Sequence, residues 1–385
     1  MKNIRTFLIC YLVFVLLFIL QKPVFLIYHW EQASAGGFIN CLKTLWYGKS
    51  MDYSVAGYFT AVPALLFWIS SCFANRFTLP VLRVYFVLVC LLAALIFVPD
   101  LELYTYWGFR IDSTVFSYIM FPKDALASVS VQKALGLLLF VVVWTLLQYG
   151  LLVKFVIRPF SKLRQKKSAK IWEILLFPVL AVLLFVVIRG GVTTSTMNVS
   201  RVYFSDNMFF NHAAVNSCFS MFSSLSKPKN FKKRYHFMDD SQSENIFGEM
   251  MRHEPSDSVP TLLNNSRPNI IMVIMESFGK KVLEDATVTP NLNRLIKEGI
   301  LFDRMYANSF RTDRGLVSVL SGFPAQPTMS IIKYPDKAQH LESIPSVLKK
   351  SGYSVSFLYG GDVNFAYIKS YLVSQGITDI TSDWN

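Results

Sequence analysis

The sequence predicts two kinds of structure in one chain: five transmembrane helices, followed by an α/β domain with a mostly parallel sheet. Hydrophobic residues make up 53% of the 385 residues and charged residues 16%, whereas soluble proteins carry about 25% charged residues. Five apolar runs approach or exceed the length of about 20 residues that a bilayer core requires. Beyond residue 268, strand-like runs alternate with helix-like segments.

The apolar runs occupy residues 6–21, 53–75, 84–98, 134–153 and 174–188. Lys22, Arg83 and Glu173 flank the shorter runs, and we expect these side chains to reach the membrane interface, as long charged side chains do near helix ends. Lys2 and Arg5 give the first run the basic start of a signal peptide. No small-residue cleavage site follows, so we expect the run to remain as a helix.

Positive charge predicts the orientation. The net charge of +13 would suit either a nucleic-acid binder or a membrane protein with basic cytoplasmic loops. Residues 154–170 hold seven Lys or Arg and no acid, and they lie between two apolar runs. We therefore expect no nucleic-acid partner and a multi-pass protein of the cytoplasmic (inner) membrane. With the N-terminus inside, five spans place everything after Arg189 outside the cytoplasm.

Three segments follow from this arrangement: a membrane domain (residues 1–190), a connector (191–267) and an outer domain (268–385). The polar stretch 227–245 is typical of a solvated linker or a surface helix. The connector histidines are expected to be surface residues without a metal: His212, His236 and His253.

The outer loop 99–130 is rich in aromatic residues, which suggests either an interfacial belt or a surface that seats the outer domain or its lipid substrate. These residues are Tyr104, Tyr106, Trp107, Phe109, Phe116, Tyr118 and Phe121.

The outer domain shows the alternation of a parallel α/β fold. The continuous apolar run at 269–275 predicts a strand that is buried on both faces. Further strands are predicted from residue 300 and at 353–358, and helices at 289–299, 312–320 and 344–350.

Two residues are candidates for chemistry. Glu276 follows the first predicted strand, and ligands of open α/β sheets gather at the carboxyl ends of strands, where a carboxylate suits a divalent cation. Thr312 precedes an apolar-faced helix. By spacing alone, structural roles are favoured for both: Glu276 as the cap of a turn, and Thr312 as a helix N-cap.

Five motifs resemble the sulfatase-like domain of the lipoteichoic acid synthases, in the alkaline phosphatase superfamily. They are residues 269–278 (NIIMVIMESF), 289–295 (TPNLNRL), 298–303 (EGILFD), 311–315 (RTDRG) and 352–353 (GY). Five membrane helices before an outer catalytic domain are also the architecture of that family.

The resemblance implies a transferase that moves a phosphoglycerol-type group from a phosphatidylglycerol-type phospholipid to an envelope glycolipid or glycan. It implies that Glu276 is a ligand of a catalytic Mn²⁺ or Mg²⁺ ion. It also implies that Thr312 is both a metal ligand and the nucleophile, through a phospho-threonine intermediate.

The sequence departs from this family in its histidines and in its head-group motif. The family uses an Asp-His pair and further histidines, whereas His340 is the one His after residue 268. We therefore expect an incomplete sulfatase-like domain whose remaining ligands follow residue 385. We also expect that residues 1–385 alone do not turn over substrate. Residues 365–368 (FAYI) replace the family's Phe-Trp-Asn-Arg segment, which leaves the head-group open.

Three other functions stay open. A phosphoethanolamine transferase shares the superfamily and the Thr, but it usually has a Cys-Gly before that Thr, where this chain has Phe310-Arg311. A sulfuric ester hydrolase would carry a Cys-x-Pro-x-Arg signature, which is missing. A non-catalytic membrane scaffold or binding protein is the alternative from another class.

Overall fold

The computed structural model describes residues 2–73, 77–113, 115–116, 130–163, 171–225, 236–252, 265–326 and 329–383. The chain divides into two compact units. The first unit joins Met1–Ser226 to Asn308–Asn385, and the second is Lys227–Ala307.

Five helices of the first unit are long and apolar enough to cross a membrane, which indicates a multi-pass membrane protein. They are Lys2–Tyr28, Phe38–Cys72, Thr78–Trp107, Val131–Leu152 and Ile171–Arg189. The fourth helix continues through a π-helical turn, Val153–Ile157, into Arg158–Leu163. A short helix, Trp30–Ala35, links the first two spans. All five predicted spans are thus present as helices, and most extend well beyond their apolar runs.

Phenylalanine rings pack the centre of the bundle. Phe14 makes edge-to-face contacts with Phe59 and Phe86 at centroid distances of 5.7 and 6.0 Å, and Phe18 meets Phe59 at 5.1 Å. Edge-to-face packing places the positive ring edge against the negative face of its neighbour. The first three spans are therefore held together by interlocked aromatic side chains.

The prediction that Lys22 reaches the membrane interface is wrong. Its side chain is buried, and its ammonium lies 2.6 Å from both carboxylate oxygens of Asp52, on the second span. The carboxylate of Asp52 supplies the countercharge that a buried ammonium requires. Glu173 is buried as well, whereas Arg83 is exposed as expected.

The part of the connector that belongs to the first unit packs against the spans. It contains the short helical turn Val199–Arg201 and the helices Met208–Ala214 and Ser217–Leu225. Cys218 and Met221 join the core of the bundle. Residues 190–225 are called the proximal connector below.

His212 is not the surface residue that the sequence suggests. It is buried, and its Nδ1 lies 3.1 Å from the hydroxyl of Tyr104, on the third span. Tyr104, near the start of the predicted aromatic loop, thus contacts the proximal connector. His236 is exposed, and His253, Tyr118 and Phe121 lie outside the described residues.

The described residues from 308 to 383 of the first unit are called the outer elements below, after their predicted location. They contain three helices of 7 to 10 residues and a two-stranded parallel sheet. The helices are Thr312–Ser321, Ile344–Lys350 and Ile368–Ser374; the shorter elements are Ile331–Lys333, Pro335–Ala338 and Phe365–Tyr367. Strand β1 (Ser356–Leu358) pairs with β2 (Asp379–Thr381), with Phe357 opposite Ile380.

The outer elements are bonded to the proximal connector. Ser200 Oγ accepts a hydrogen bond from the amide of Ser370 at 3.0 Å, and Asn198 Nδ2 donates to the carbonyl of Asn364 at 3.0 Å. Val373 joins a core cluster with Val202 and Tyr203. The proximal connector therefore contacts both the spans and the outer elements.

The second unit contains the helices Asp240–Met250, Lys281–Glu284 and Pro290–Glu298. The predicted strands at 269–275 and 300–302 are not formed, and Ile271 is 89% exposed. A strand needs a neighbour to satisfy its backbone groups, and no described segment pairs with either run. Among the described residues the sheet is therefore only β1 and β2.

Candidate active site

Thr312 is the first residue of the helix Thr312–Ser321, below called the Thr312 helix. The N-cap position belongs to Arg311, which has extended backbone angles, and Thr312 is half-buried. The first amides of a helix lack intrahelical partners and carry its partial positive charge. The Thr312 hydroxyl therefore lies where a negative oxygen is stabilised.

The Thr312 helix is fixed on two sides. Leu316, Val317 and Leu320 are buried in the core of the outer elements. The hydroxyl of Ser330 donates to the carbonyl of Asp313 at 2.9 Å, which anchors the first turn. Gly322 ends the helix in a left-handed conformation, with φ of 63°. Packing and a hydrogen bond therefore anchor the helix that carries Thr312.

Basic side chains surround the start of the Thr312 helix. The buried carboxylate of Asp313 lies 3.5 Å from Arg311 Nε and 3.5 Å from Lys333 Nζ. Arg314 lies over the ring of Phe310, 5.6 Å from its centroid. Arg311, Arg314 and Lys333 therefore bring positive charge to the start of this helix, which suits a phosphorylated substrate.

Glu276 belongs to the second unit and is exposed. It does not follow a strand, because residues 269–275 do not form one. It precedes a turn in which Ser277 has φ of 58°, an uncommon conformation for a residue other than glycine. Glu276 and Thr312 lie in different units, so the structure supplies no common geometry for them.

These residues do not fit a complete metal site. Among the described residues, no group of three or more His, Cys, Asp and Glu side chains could hold a metal ion. Mg²⁺ requires an octahedral set of oxygen ligands. One exposed carboxylate and one hydroxyl do not supply that set, so the metal roles of Glu276 and Thr312 stay predictions.

A polar cluster that no sequence motif indicates lies where the proximal connector meets the outer elements. Asp362 is buried there, and its carboxylate accepts from the amide of Asn364 at 3.0 Å. Burial acts to raise the pKa of Asp362, but hydrogen bonds from Ser195 and Asn364 outweigh it, so the pKa lies below its usual value. The acid is therefore ionised at neutral pH.

Arg201 joins this cluster and closes a loop at the end of the fifth span. Its Nη1 donates to the carbonyl of Gly190 at 2.8 Å, and its Nη2 to the carbonyl of Ser195 at 2.9 Å and to the hydroxyl of Thr193. Burial lowers the pKa of Arg201, and the negative charge of Asp362 opposes that effect. Nothing in the local sequence indicates that Arg201 and Asp362 lie near each other, because 161 positions separate them.

Residues 268–384 match the Sulfatase family. No solved structure matches this one. The outer residues therefore carry a sulfatase-family domain, within which both Glu276 and Thr312 lie. This indicates an enzyme of the sulfatase and alkaline-phosphatase-like superfamily, either a transferase or a hydrolase, and enzymes of this fold typically bind a divalent metal.

Proposed function

We propose that this chain belongs to a membrane-anchored transferase that moves a phosphoglycerol-type group from a phospholipid to an envelope glycolipid or glycan. The observation that carries the proposal is a sulfatase-family match on a chain that also has five apolar helices. Anchorage keeps such a domain beside the bilayer that holds its donor. A phosphatidylglycerol-type lipid is the proposed donor.

Thr312 is the proposed nucleophile. Its Oγ attacks the phosphorus of the donor, forms a bond to it, and gives up its proton. The bond from phosphorus to the diacylglycerol oxygen breaks, and that oxygen takes up a proton as diacylglycerol leaves. The acceptor hydroxyl then attacks the same phosphorus, and Thr312 is released with its proton restored.

The surroundings of Thr312 support this role. The helix N-terminus favours the developing alkoxide, and Arg311, Arg314 and Lys333 favour the phosphate. Glu276 remains the proposed ligand of the divalent ion, Mn²⁺ or Mg²⁺, which would supply further charge stabilisation when bound.

Transfer from a phospholipid with a labelled head-group tests the proposal in the full-length protein. Thr312→Ala should reduce transfer to background, because it removes the attacking oxygen. Thr312→Ser should retain part of the activity. Ser354→Ala, which removes an exposed hydroxyl elsewhere in the outer elements, is the control and should behave as the wild type.

The same assay separates the alternatives. Transfer from a phosphoethanolamine-labelled lipid but not from a phosphoglycerol-labelled one would move the assignment to a phosphoethanolamine transferase. Cleavage of an aryl sulfate, without transfer from either lipid, would indicate a sulfuric ester hydrolase. A well-folded protein without any of these activities would support a scaffold or binding role.

A further inference from the structure

An apolar groove of about 540 Å³ opens on the side of the bundle between the second and third spans. Sites that bind small molecules have volumes of about 300–1,000 Å³. The walls include Val55, Phe59, Tyr85, Val89, Met197 and Phe219. Two spans thus form the sides of the groove, and the proximal connector supplies the rest.

The groove lies at the end of the bundle where the fifth span ends. Ser54, next to the groove residue Val55, donates its hydroxyl hydrogen to the carbonyl of Ile188 at 2.6 Å. Met197 donates its amide hydrogen to the carbonyl of Arg189 at 2.8 Å. In the predicted topology this is the outer end, so the groove lies at the depth of the outer leaflet.

A cluster of cations adjoins this end of the groove. Arg189 Nη1 donates to the carbonyl of Thr193 at 2.6 Å, and Arg201 Nη2 donates to the hydroxyl of the same residue, so the two guanidinium groups are neighbours. Lys369 donates its amide hydrogen to the carbonyl of Val363, next to Asp362, at 2.9 Å. Burial lowers the pKa of Lys369, and the negative charge of Asp362 opposes that effect. The cluster thus contains three cations, Arg189, Arg201 and Lys369, and one carboxylate, Asp362. Met197 lines the groove, and its amide is bonded to the carbonyl of Arg189. The positively charged cluster therefore adjoins the apolar wall of the groove.

We propose that the groove and the cation cluster together bind one anionic phospholipid of the outer leaflet. An acyl chain lies along Val55, Val89 and Phe219, and the phosphate faces Arg189 and Lys369. The acyl chain is assigned to the groove because the wall of the groove is apolar. The head-group is assigned as anionic rather than zwitterionic because the cluster carries net positive charge. The site does not depend on Thr312, so it can be occupied whether or not the proposed transfer occurs.

The groove is tested by native mass spectrometry of the delipidated full-length protein, titrated with phosphatidylglycerol. Val89→Trp fills the groove and should abolish the tightest binding event. The control is Leu135→Trp, which adds the same side chain on a residue of the fourth span that is 61% exposed; it should bind as the wild type. Equal binding by the two variants, with matching melting temperatures, would overturn the groove assignment.

The head-group is tested by comparing phosphatidylglycerol with phosphatidylethanolamine. Lys369→Gln should weaken phosphatidylglycerol binding about fivefold, the factor that corresponds to about 1 kcal/mol per cation near an anionic lipid. It should leave phosphatidylethanolamine binding unchanged. The control is Lys350→Gln, at an exposed lysine paired with Glu342, and should change neither. Equal affinity of the wild type for both lipids would overturn the choice of an anionic lipid.

Discussion

At His212, burial keeps a histidine of the connector neutral at physiological pH. Burial and then the positive charge of Arg110 lower its pKa to about 3, and a hydrogen bond with Gln339 opposes this only in part. The ring lies 3.1 Å from the hydroxyl of Tyr104. His212 therefore contacts both the third span and the outer elements from the connector, without carrying a charge.

The pKa of His212 predicts how stability depends on pH. In the unfolded chain the pKa is near 6.5, so below that pH the unfolded state binds a proton that the folded state does not. The contribution of His212 is therefore complete above about pH 7 and is lost progressively as the pH falls from 6.5 towards 3. At pH 5 the loss is about 2 kcal/mol.

The measurement compares the melting temperatures of the wild type and His212→Gln between pH 7.5 and pH 5. The wild type should lose more stability over this range, because glutamine does not titrate. Identical pH profiles for the two proteins would contradict the assignment of a buried, neutral His212.

The Lys22–Asp52 pair predicts an asymmetry between single and double substitutions. Lys22→Met leaves the buried Asp52 carboxylate without its ammonium and should destabilise the protein by about 3–5 kcal/mol. The double variant Lys22→Met/Asp52→Leu removes both charges and should recover much of that loss. Lys350→Met, which breaks an exposed pair with Glu342, should cost about 1 kcal/mol or less. Melting in detergent would contradict the pair if the double variant were less stable than the single one.

At the scale of elements, the helices of the outer region were predictable and two of its strands were not. Thr312–Ser321 and Ile344–Lys350 form as their apolar spacing predicts, because a helix satisfies its backbone groups within one segment. The run at 269–275 forms no strand. A strand must pair with a second segment, and the sequence of the run does not indicate which segment that would be. The predicted strand at 353–358 forms only as β1.

The proximal connector was predicted least well, because its packing depends on residues distant in sequence. Asn216 is an example: its side chain accepts from the amide of Cys218 at 3.0 Å, and it donates to Asp52 at 2.9 Å. The first bond caps the helix Ser217–Leu225, and the second joins that helix to the buried ion pair. Only the first could be expected from the sequence.

Removing Asn216 should therefore cost more than removing an ordinary helix cap. Asn207 is the matched control, since its side chain accepts from the amide of Phe209 at 3.0 Å on an exposed site. Asn207→Ala should cost about 0.5–2 kcal/mol. Asn216→Ala should cost about 1.5–3 kcal/mol more, because a bond to a charged group is lost as well. Equal losses in melting temperature would show that the bond to Asp52 contributes nothing.

At the scale of the whole molecule, composition predicted the membrane domain, whereas motifs predicted the outer one. An apolar helix needs only a hydrophobic stretch of sufficient length, so all five spans could be read from the sequence. The candidate site could be predicted only in part. Thr312 occupies the start of a helix as expected, but Glu276 lies exposed in the other unit, and the charges around Thr312 come from Lys333 as well as from its neighbours.

The orientation of the five spans is a further prediction for the whole chain. Basic residues in alternate loops place the N-terminus in the cytoplasm. A reporter that is active only outside the cytoplasm should therefore be active when fused after residue 264, and inactive when inserted within residues 158–170. The reverse pattern would invert the topology and would separate the outer domain from an extracytoplasmic acceptor.

Thr312 is proposed to carry the phosphoryl group between donor and acceptor, and a labelled donor tests this role directly. The full-length protein is incubated with a phospholipid that has an isotopically labelled glycerol head-group, without acceptor, and its peptides are then examined by mass spectrometry. We predict a labelled phosphoglyceryl group on Thr312 and none on the Thr312→Ala variant. Transfer of the label to acceptor without modification of Thr312, or equal labelling of the two proteins, would contradict the claim.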